Sequence, residues 1–277
     1  MLTTTIDGLW ALQVLTGIEV VAPELGLRPH LPSVESKQLA LTHPVTAELR
    51  AAGVVDDAGT VDSIVVDWLS VLSRRDIGLI VQFRIPGAGE TSRVLLARFA
   101  QWWVTMERSG DAIRLSGAGT ADSEDAAIAL LGAQLDKLCG HTSPASLRPV
   151  TLDAEALQAA CSSQAALGEF LAGERIDPEQ RRALLLASDP DQSAQASIVA
   201  IQAGVPGRRT GRTYVDDSAV AIVDTPEGRM VVETVRSGAK KWTIAGPGAK
   251  NNVVSAINQM LRRLPADTEW HSYRRVV

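Results

Sequence analysis

The chain has 277 residues, of which 45% are apolar, and its formal net charge is −5. This composition is sufficient for one large domain or two domains of ordinary size. The acidic balance argues against general nucleic-acid binding, and no segment approaches the roughly 18 consecutive apolar residues of a membrane span. The first ten residues lack a secretory signal, so we expect a cytoplasmic protein with no nucleic-acid partner and no membrane partner.

The N-terminal part of the chain is predicted to be mainly helical. One stretch, 18–29, is expected to be extended, because Pro29 forces the residue before it out of the helical region. The predicted helices run from Asp7 to Gly17, from a cap at Ser33 through a break at Pro44 to Gly53, and over 61–72, where apolar residues recur at helical spacing.

Two later segments, 79–119 and 198–248, follow the same order of elements. Each runs strand, Pro-Gly loop, strand, strand, Arg-Ser-Gly turn, strand and Gly-x-Gly stop, followed by a helix. The corresponding pairs are Pro86-Gly87 with Pro206-Gly207, Arg108-Ser109-Gly110 with Arg236-Ser237-Gly238, and Gly117/Gly119 with Gly246/Gly248. The pattern predicts an α+β fold with a pseudo-two-fold duplicated unit and a central, mostly antiparallel sheet flanked by helical groups.

The join between the two halves is predicted at the Ser- and Pro-rich stretch 141–151. We therefore expect an N-terminal α+β half at 1–145 and a C-terminal α+β half at 146–277, combined in one compact domain. The remaining predicted elements are helices at 122–138, 153–162, 164–172, 178–188 and 250–263, and strands at 193–204, 212–224, 228–236 and 240–245.

No motif in the chain indicates catalysis. The four histidines lie in different segments, and the two cysteines have neither disulfide-framework nor metal-ligand spacing. The glycine-rich run 87–92 lies between two predicted strands, whereas a phosphate-binding loop must lead into a helix. We therefore predict that the protein is not an enzyme and needs no cofactor or metal.

Three segments carry a resemblance to a known family. They are TTTIDGLWALQVLTGIEVVAPELGLRP (3–29), RVLLARFAQWWV (93–104) and RRLPADTEW (262–270). Together they resemble the EspG family, the secretion-associated chaperones of mycobacterial type VII (ESX) systems. The likeness covers essentially the whole chain, and the start, end and length are most similar to the members encoded with the second ESX system.

This resemblance implies a non-enzymatic cytosolic chaperone that binds the helical tip of PPE proteins in PE–PPE heterodimers. The contacts in such relatives correspond here to strand 77–85, loop 86–92 and the helices at 153–188. Because the loop is shorter than in some relatives, we expect the sheet and the helices to supply a larger share of the partner contacts. The candidate partner-binding residues are Val81, Phe83, Arg84, Gly87, Gly89, Glu90, Leu167, Phe170, Leu171, Arg175, Ile176, Arg181 and Leu184.

Three alternatives stay open from the sequence. The apolar residues between Leu167 and Leu184 fit a groove for the PPE tip, but each of them fits the core of its own helical group better, because apolar helix positions are usually buried. The chain also fits a duplicated scaffold that binds another protein or forms a homodimer through apolar strand edges. An enzyme whose site leaves no motif is a third hypothesis, which strongly shifted pKa values in a closed pocket would favour.

Overall fold

The computed structural model describes residues 1–89, 91–204 and 213–274 of the chain. Within that part there are nine α-helices and eleven strands. The helices are α1 Ile6–Thr16, α2 Lys37–Thr42, α3 Pro44–Ala51, α4 Ser63–Arg74, α5 Glu124–Cys139, α6 Ala154–Ala160, α7 Gln164–Gly173, α8 Pro178–Ser188 and α9 Lys250–Arg262. The strands are β1 Leu2–Thr5, β2 Ile77–Arg84, β3 Ser92–Phe99, β4 Trp102–Ser109, β5 Ala112–Thr120, β6 Val150–Asp153, β7 Ala194–Gln202, β8 Tyr214–Val215, β9 Ala219–Thr225, β10 Gly228–Ser237 and β11 Lys240–Pro247.

Side-chain caps fix where several helices begin. The side chain of Asp62 accepts hydrogen bonds from the first free backbone amides of α4, and Asp177 and Gln180 form a reciprocal capping box at the start of α8. The helix predicted from Ser33 is capped by Ser36 instead, because the Ser36 hydroxyl accepts from the amide of Leu39. The predicted start of α2 was therefore three residues too early.

All eleven strands form one antiparallel sheet. Its order is β1-β5-β4-β3-β2-β7-β9-β10-β11-β6, with β8 paired to β7 beside this path. The N-terminal half supplies one side and the C-terminal half the other, and they meet where β2 pairs with β7. The outermost strands, β1 and β6, have only four residues each.

Helices cover the two faces of the sheet differently. On one face, α5 and α9 pack across the middle on a core that includes Leu79, Val81 and Ile198. On the opposite face, α1 to α4 cover the N-terminal strands and α6 to α8 cover the C-terminal strands, each group with its own apolar cluster. The middle of this second face lies between the two helical groups.

The end of the chain is attached to the seam between the halves. The backbone amide of Ala266 donates to the side chain of Gln202, and the Tyr273 hydroxyl donates to the carbonyls of Ala203 and Gly204. Trp270 is fully buried in the core under α9. The C-terminal segment therefore stabilises the place where the two halves join.

The structure confirms the predicted α+β class and the antiparallel sheet, and it adds three strands to the prediction. The short strands β1 and β6 were missed, and the single strand predicted at 212–224 is interrupted between β8 and β9. The strand order has the symmetry that a duplicated unit requires, but the duplication itself and the division at residue 145 stay predictions. The Pro206-Gly207 loop lies outside the described residues.

Candidate partner-binding surface

The two central strands expose a row of side chains that we call the central strip. Its members are paired across β2 and β7: Ile80 with Val199, Gln82 with Ser197, and Arg84 with Gln195. Gln82 is exposed and the other five are half-buried. Because residues directly opposite in a sheet point to the same face, the six side chains share one surface.

The two helical groups form walls on either side of the central strip. On the N-terminal side, α4 and the 3-10 turn Pro23–Leu25 lie against β3, and on the C-terminal side α8 lies against β9. From β3 to β9 there are three strand spacings, or roughly 14 Å between the strand axes at about 4.8 Å per spacing, and β2 and β7 form the floor between the strands that carry the walls.

Arg84 links the strip to the start of β7. Its guanidinium donates to the Gln195 side chain at 3.1 Å and to the Ser193 hydroxyl at 3.5 Å. The Ser193 hydroxyl in turn donates to the backbone carbonyls of Ala187 and Asp189 at the end of α8. Strand β2 and the C-terminal end of α8 are therefore held together at one end of the trough.

The loop after β2 lies at this same end of the trough. Gly87 has a φ of 72°, in the left-handed region, and a side chain added there would meet open space. Gly89 is likewise open, whereas Glu90 lies outside the described residues. The loop spans only 85–91 between β2 and β3.

The helical candidates divide into core residues and half-buried residues. Leu167 is 3% exposed and Leu171 is fully buried, so both belong to the core under α7. Three others pack partly against this core: Phe170, Ile176 and Leu184. The alternative interpretation is therefore correct for Leu167 and Leu171, which have almost no surface to offer a partner.

The two arginines of the helical group differ in their surroundings. Arg175 is exposed on the connection between α7 and α8, whereas Arg181 is half-buried on α8. The Nε of Arg181 is buried and has no hydrogen-bond acceptor among the described residues. Of these two candidates, Arg175 therefore has the more accessible side chain to offer a partner.

Two of the sheet candidates face the opposite way from the central strip. Val81 is fully buried beneath α5 and α9, and Phe83 packs partly against the same core. Strand geometry explains the difference, since alternate residues of β2 point to opposite faces. The strip members that the sequence prediction missed are Ile80, Gln82, Gln195, Ser197 and Val199.

The described residues do not assemble a reaction centre. No group of three or more His, Cys, Asp or Glu side chains among them is placed to hold a metal ion. Burial raises the pKa of the Cys139 thiol to about 11, which keeps it protonated and a poor nucleophile at neutral pH. In the part of the chain that the structure describes, no helix combines the length and the apolar character needed to span a bilayer.

Sequence comparison identifies relatives along the whole chain. A profile described as "EspG family" matches residues 5–259. The ESX-2 secretion-associated protein EspG2 of Mycobacterium tuberculosis strain H37Rv is 49% identical over 277 residues, which is all of both chains. The ESX-5 secretion-associated protein EspG5 of Mycobacterium marinum is 28% identical over 305 residues, covering 99% of this chain and 97% of that protein. The predicted resemblance to the member of the second ESX system is confirmed.

Comparison with solved structures finds the same fold. One match is to the M. tuberculosis type VII secretion system chaperone EspG5, solved in complex with a PE25–PPE41 dimer. The TM-score is 0.75, and the alignment covers 98% of this chain and 99% of that one at 24% identity. This similarity supports the α+β architecture, with its single wide sheet and flanking helices.

Proposed function

Because the chain belongs to the EspG family, we propose that it is a cytoplasmic chaperone that binds the helical tip of a PPE protein in a PE–PPE heterodimer. In this role it keeps the tip from aggregating and directs the heterodimer to its cognate type VII secretion system. EspG proteins are chaperones and not enzymes, in agreement with the prediction from the sequence. Its relative EspG5 has been solved with a PE25–PPE41 dimer, and that observation guides the choice of partner.

The observation that carries the proposal is the trough over the central strip. Its floor combines apolar side chains, Ile80 and Val199, with the polar side chains of Gln82, Ser197 and Arg84. A protein interface of moderate strength has this mixture, with an apolar centre and polar groups that fix orientation. An amphipathic helical end supplies the complementary apolar face.

We assign most of the interface to the central strip and α8. The loop at 85–91 is too short to wrap around a partner, and its glycines offer backbone but no side chains. On α8, which lies against β9, Leu184 is half-buried and packs partly against the core of the C-terminal helical group. The half-buried Arg84 adds charge where β2, α8 and the loop meet.

We also propose that the two halves derive from one duplicated unit. Counted from the edge of the sheet to its centre, the first half has the order β1-β5-β4-β3-β2 and the second half has the order β6-β11-β10-β9-β7. The strands β1 to β5 therefore correspond to β6, β7, β9, β10 and β11, respectively. Helix α5 follows the strands of the first half as α9 follows those of the second. Duplication explains why two helical groups stand on the same face and leave a trough between them.

The runner-up hypothesis, a scaffold that pairs through its strand edges, has less support. Both edges of the sheet are four-residue strands, LTTT and VTLD, and each leads directly into a helix. Short and polar edges are the usual means by which sheets avoid pairing with other sheets. A homodimer of this protein would need a different surface.

Co-expression with the PE–PPE pairs encoded beside the chain tests the proposed function. We expect a soluble complex with one pair, and Gln82→Arg to weaken it more than tenfold, because a third arginine beside Arg84 and Arg93 buries an unpaired charge in the interface. Gln38→Arg is the matched control, since Gln38 is exposed on α2 and the substitution is the same. Failure of every pair to form a complex, or equal binding by both variants, would contradict the assignment.

A further inference from the structure

The outward face of α4 carries apolar surface that no described residue covers. Ile64 on α4 and Trp102 at the start of β4 are each 56% exposed. With Trp68, Val71 and Phe99 they line a groove of about 640 Å³ between α4 and the ends of β3 to β5. Exposed apolar surface that forms one patch, and not scattered single residues, usually marks an interaction site.

Two opposite charges flank this groove on the same helix. Asp67 and Arg74 are seven residues apart, or about two helical turns, and therefore lie on one side of α4. Both are exposed, and neither forms an ion pair with another described residue. The guanidinium of Arg74 lies 5.0 Å from the centre of the Phe99 ring, at the apolar end of the groove.

We propose that α4 packs antiparallel against α4 of a second copy of this chain, in a two-fold symmetric dimer. The axis passes beside Ser70 and Val71. In this arrangement Asp67 of each copy faces Arg74 of the other, so the two ion pairs form together. The small side chain of Ser70 at the crossing point allows the helices to approach closely.

The apolar residues extend the contact beyond the helices. About eight residues of each α4 overlap, which is roughly 12 Å of helix at 1.5 Å per residue. Ile64 then lies past the end of the other copy's helix, next to its Phe99 and Trp102. Each copy therefore covers the exposed apolar side chains of the other.

The charge pattern favours a second copy over an unrelated protein. A two-fold interface must be self-complementary, since the same patch is used on both sides. Opposite charges placed symmetrically about a small central residue meet that requirement on a single helix. The surface also goes beyond the proposed chaperone role, because Phe99 and Trp102 lie at the end of β3 and β4 opposite to the loop at 85–91.

Sedimentation equilibrium over a dilution series tests the dimer. We expect the wild-type mass to rise with concentration from 29.5 kDa towards twice that value. Asp67→Arg and Arg74→Asp should each raise the dimer dissociation constant more than about tenfold, because each places like charges opposite one another twice. Asp191→Arg, at an exposed position after α8 in the C-terminal half, is the matched control and should dimerise as the wild type does.

Mixing the two variants gives the sharpest result. An equimolar mixture of Asp67→Arg and Arg74→Asp restores opposite charges in both contacts, so the mixture should dimerise although neither variant does alone. A variant that simply misfolds cannot produce this recovery. A wild-type chain that stays monomeric throughout, single reversals that dimerise normally, or a mixture that stays monomeric would overturn the proposal.

Discussion

Arg98 illustrates how one residue connects distant parts of this molecule. Its side chain is fully buried on β3, and its guanidinium donates to both carboxylate oxygens of Asp76 at 3.0 and 3.1 Å. It also donates to the backbone carbonyls of Trp270, at 2.5 Å, and of Tyr273. One buried cation therefore holds the start of β2 and the C-terminal segment in place.

We expect Arg98→Met to lower the free energy of unfolding by about 3–5 kcal/mol, because the substitution leaves the buried carboxylate of Asp76 without its partner. Arg93→Met is the matched control, since Arg93 is exposed on the same strand, and it should change stability by no more than about 0.5 kcal/mol. Urea unfolding of both variants measures the difference. Equal stability of the two variants would show that the buried pair does not hold the C-terminal segment.

At the residue scale, the sequence predicted β2 correctly, but of its three candidates there only Arg84 lies on the trough face, whereas Val81 and Phe83 point to the opposite face. In the run IGLIVQFR the successive residues Leu79, Ile80 and Val81 are all apolar. Leu79 and Val81 pack in the core beneath α5 and α9, whereas the side chain of Ile80 faces the trough. A run without alternation does not indicate which residues face which side. Only the helices packed on β2 decide that Gln82, and not Val81, is available to a partner.

At the scale of elements, α5 and α9 are joined by an ion pair. The guanidinium of Arg262, near the end of α9, donates to both oxygens of Glu124, the first residue of α5, at 2.7 Å each. The indole of Trp270 lies 3.4 Å from the same carboxylate. The hydrogen bond from Arg262 is the main cause that lowers the pKa of Glu124 from 4.5 to about 2, against the opposing effect of burial.

This pKa shift predicts a pH dependence of stability. Because the folded pKa is the lower one, Glu124 stabilises the fold fully above pH 4.5, and the contribution is lost as the pH falls towards 2. Glu124→Gln should therefore reduce the drop in unfolding free energy across that window. Glu48→Gln, at an exposed position of α3, serves as the control. Identical pH profiles for wild type and Glu124→Gln would refute the assignment.

The sequence predicted most elements because their signals are local. Helix α8 begins at Asp177-Pro178, where a cap and a first-turn proline stand together, and α1 ends at Gly17 with a φ of 72°. The edge strands β1 and β6 were missed because four residues are too few to establish a strand period, and their pairing to β5 and β11 is a long-range contact. The placement of Leu167 and Leu171 in the core likewise depends on the sheet beneath them.

At the scale of the whole molecule, the sheet supports two separate surfaces. The central strip lies between the helical groups, whereas the groove beside α4 lies at the other end of β3 and β4. A dimer through α4 would leave the loop end of the trough free for cargo. The repeat of elements in the sequence predicted a continuous sheet, but the trough arises from how the helices cover it, which no local pattern contains.

Binding of cargo over the central strip is the feature on which the proposed function rests. A direct measurement is the alkylation rate of a single thiol placed on the strip by Ser197→Cys, compared with one at the exposed β10–β11 turn from Ser237→Cys. Both variants carry Cys161→Ser, because Cys161 is exposed, whereas the remaining Cys139 is kept unreactive by its raised pKa. We predict that a bound PE–PPE heterodimer slows alkylation at position 197 and leaves position 237 unchanged. Equal rates at position 197 with and without bound cargo would contradict the account.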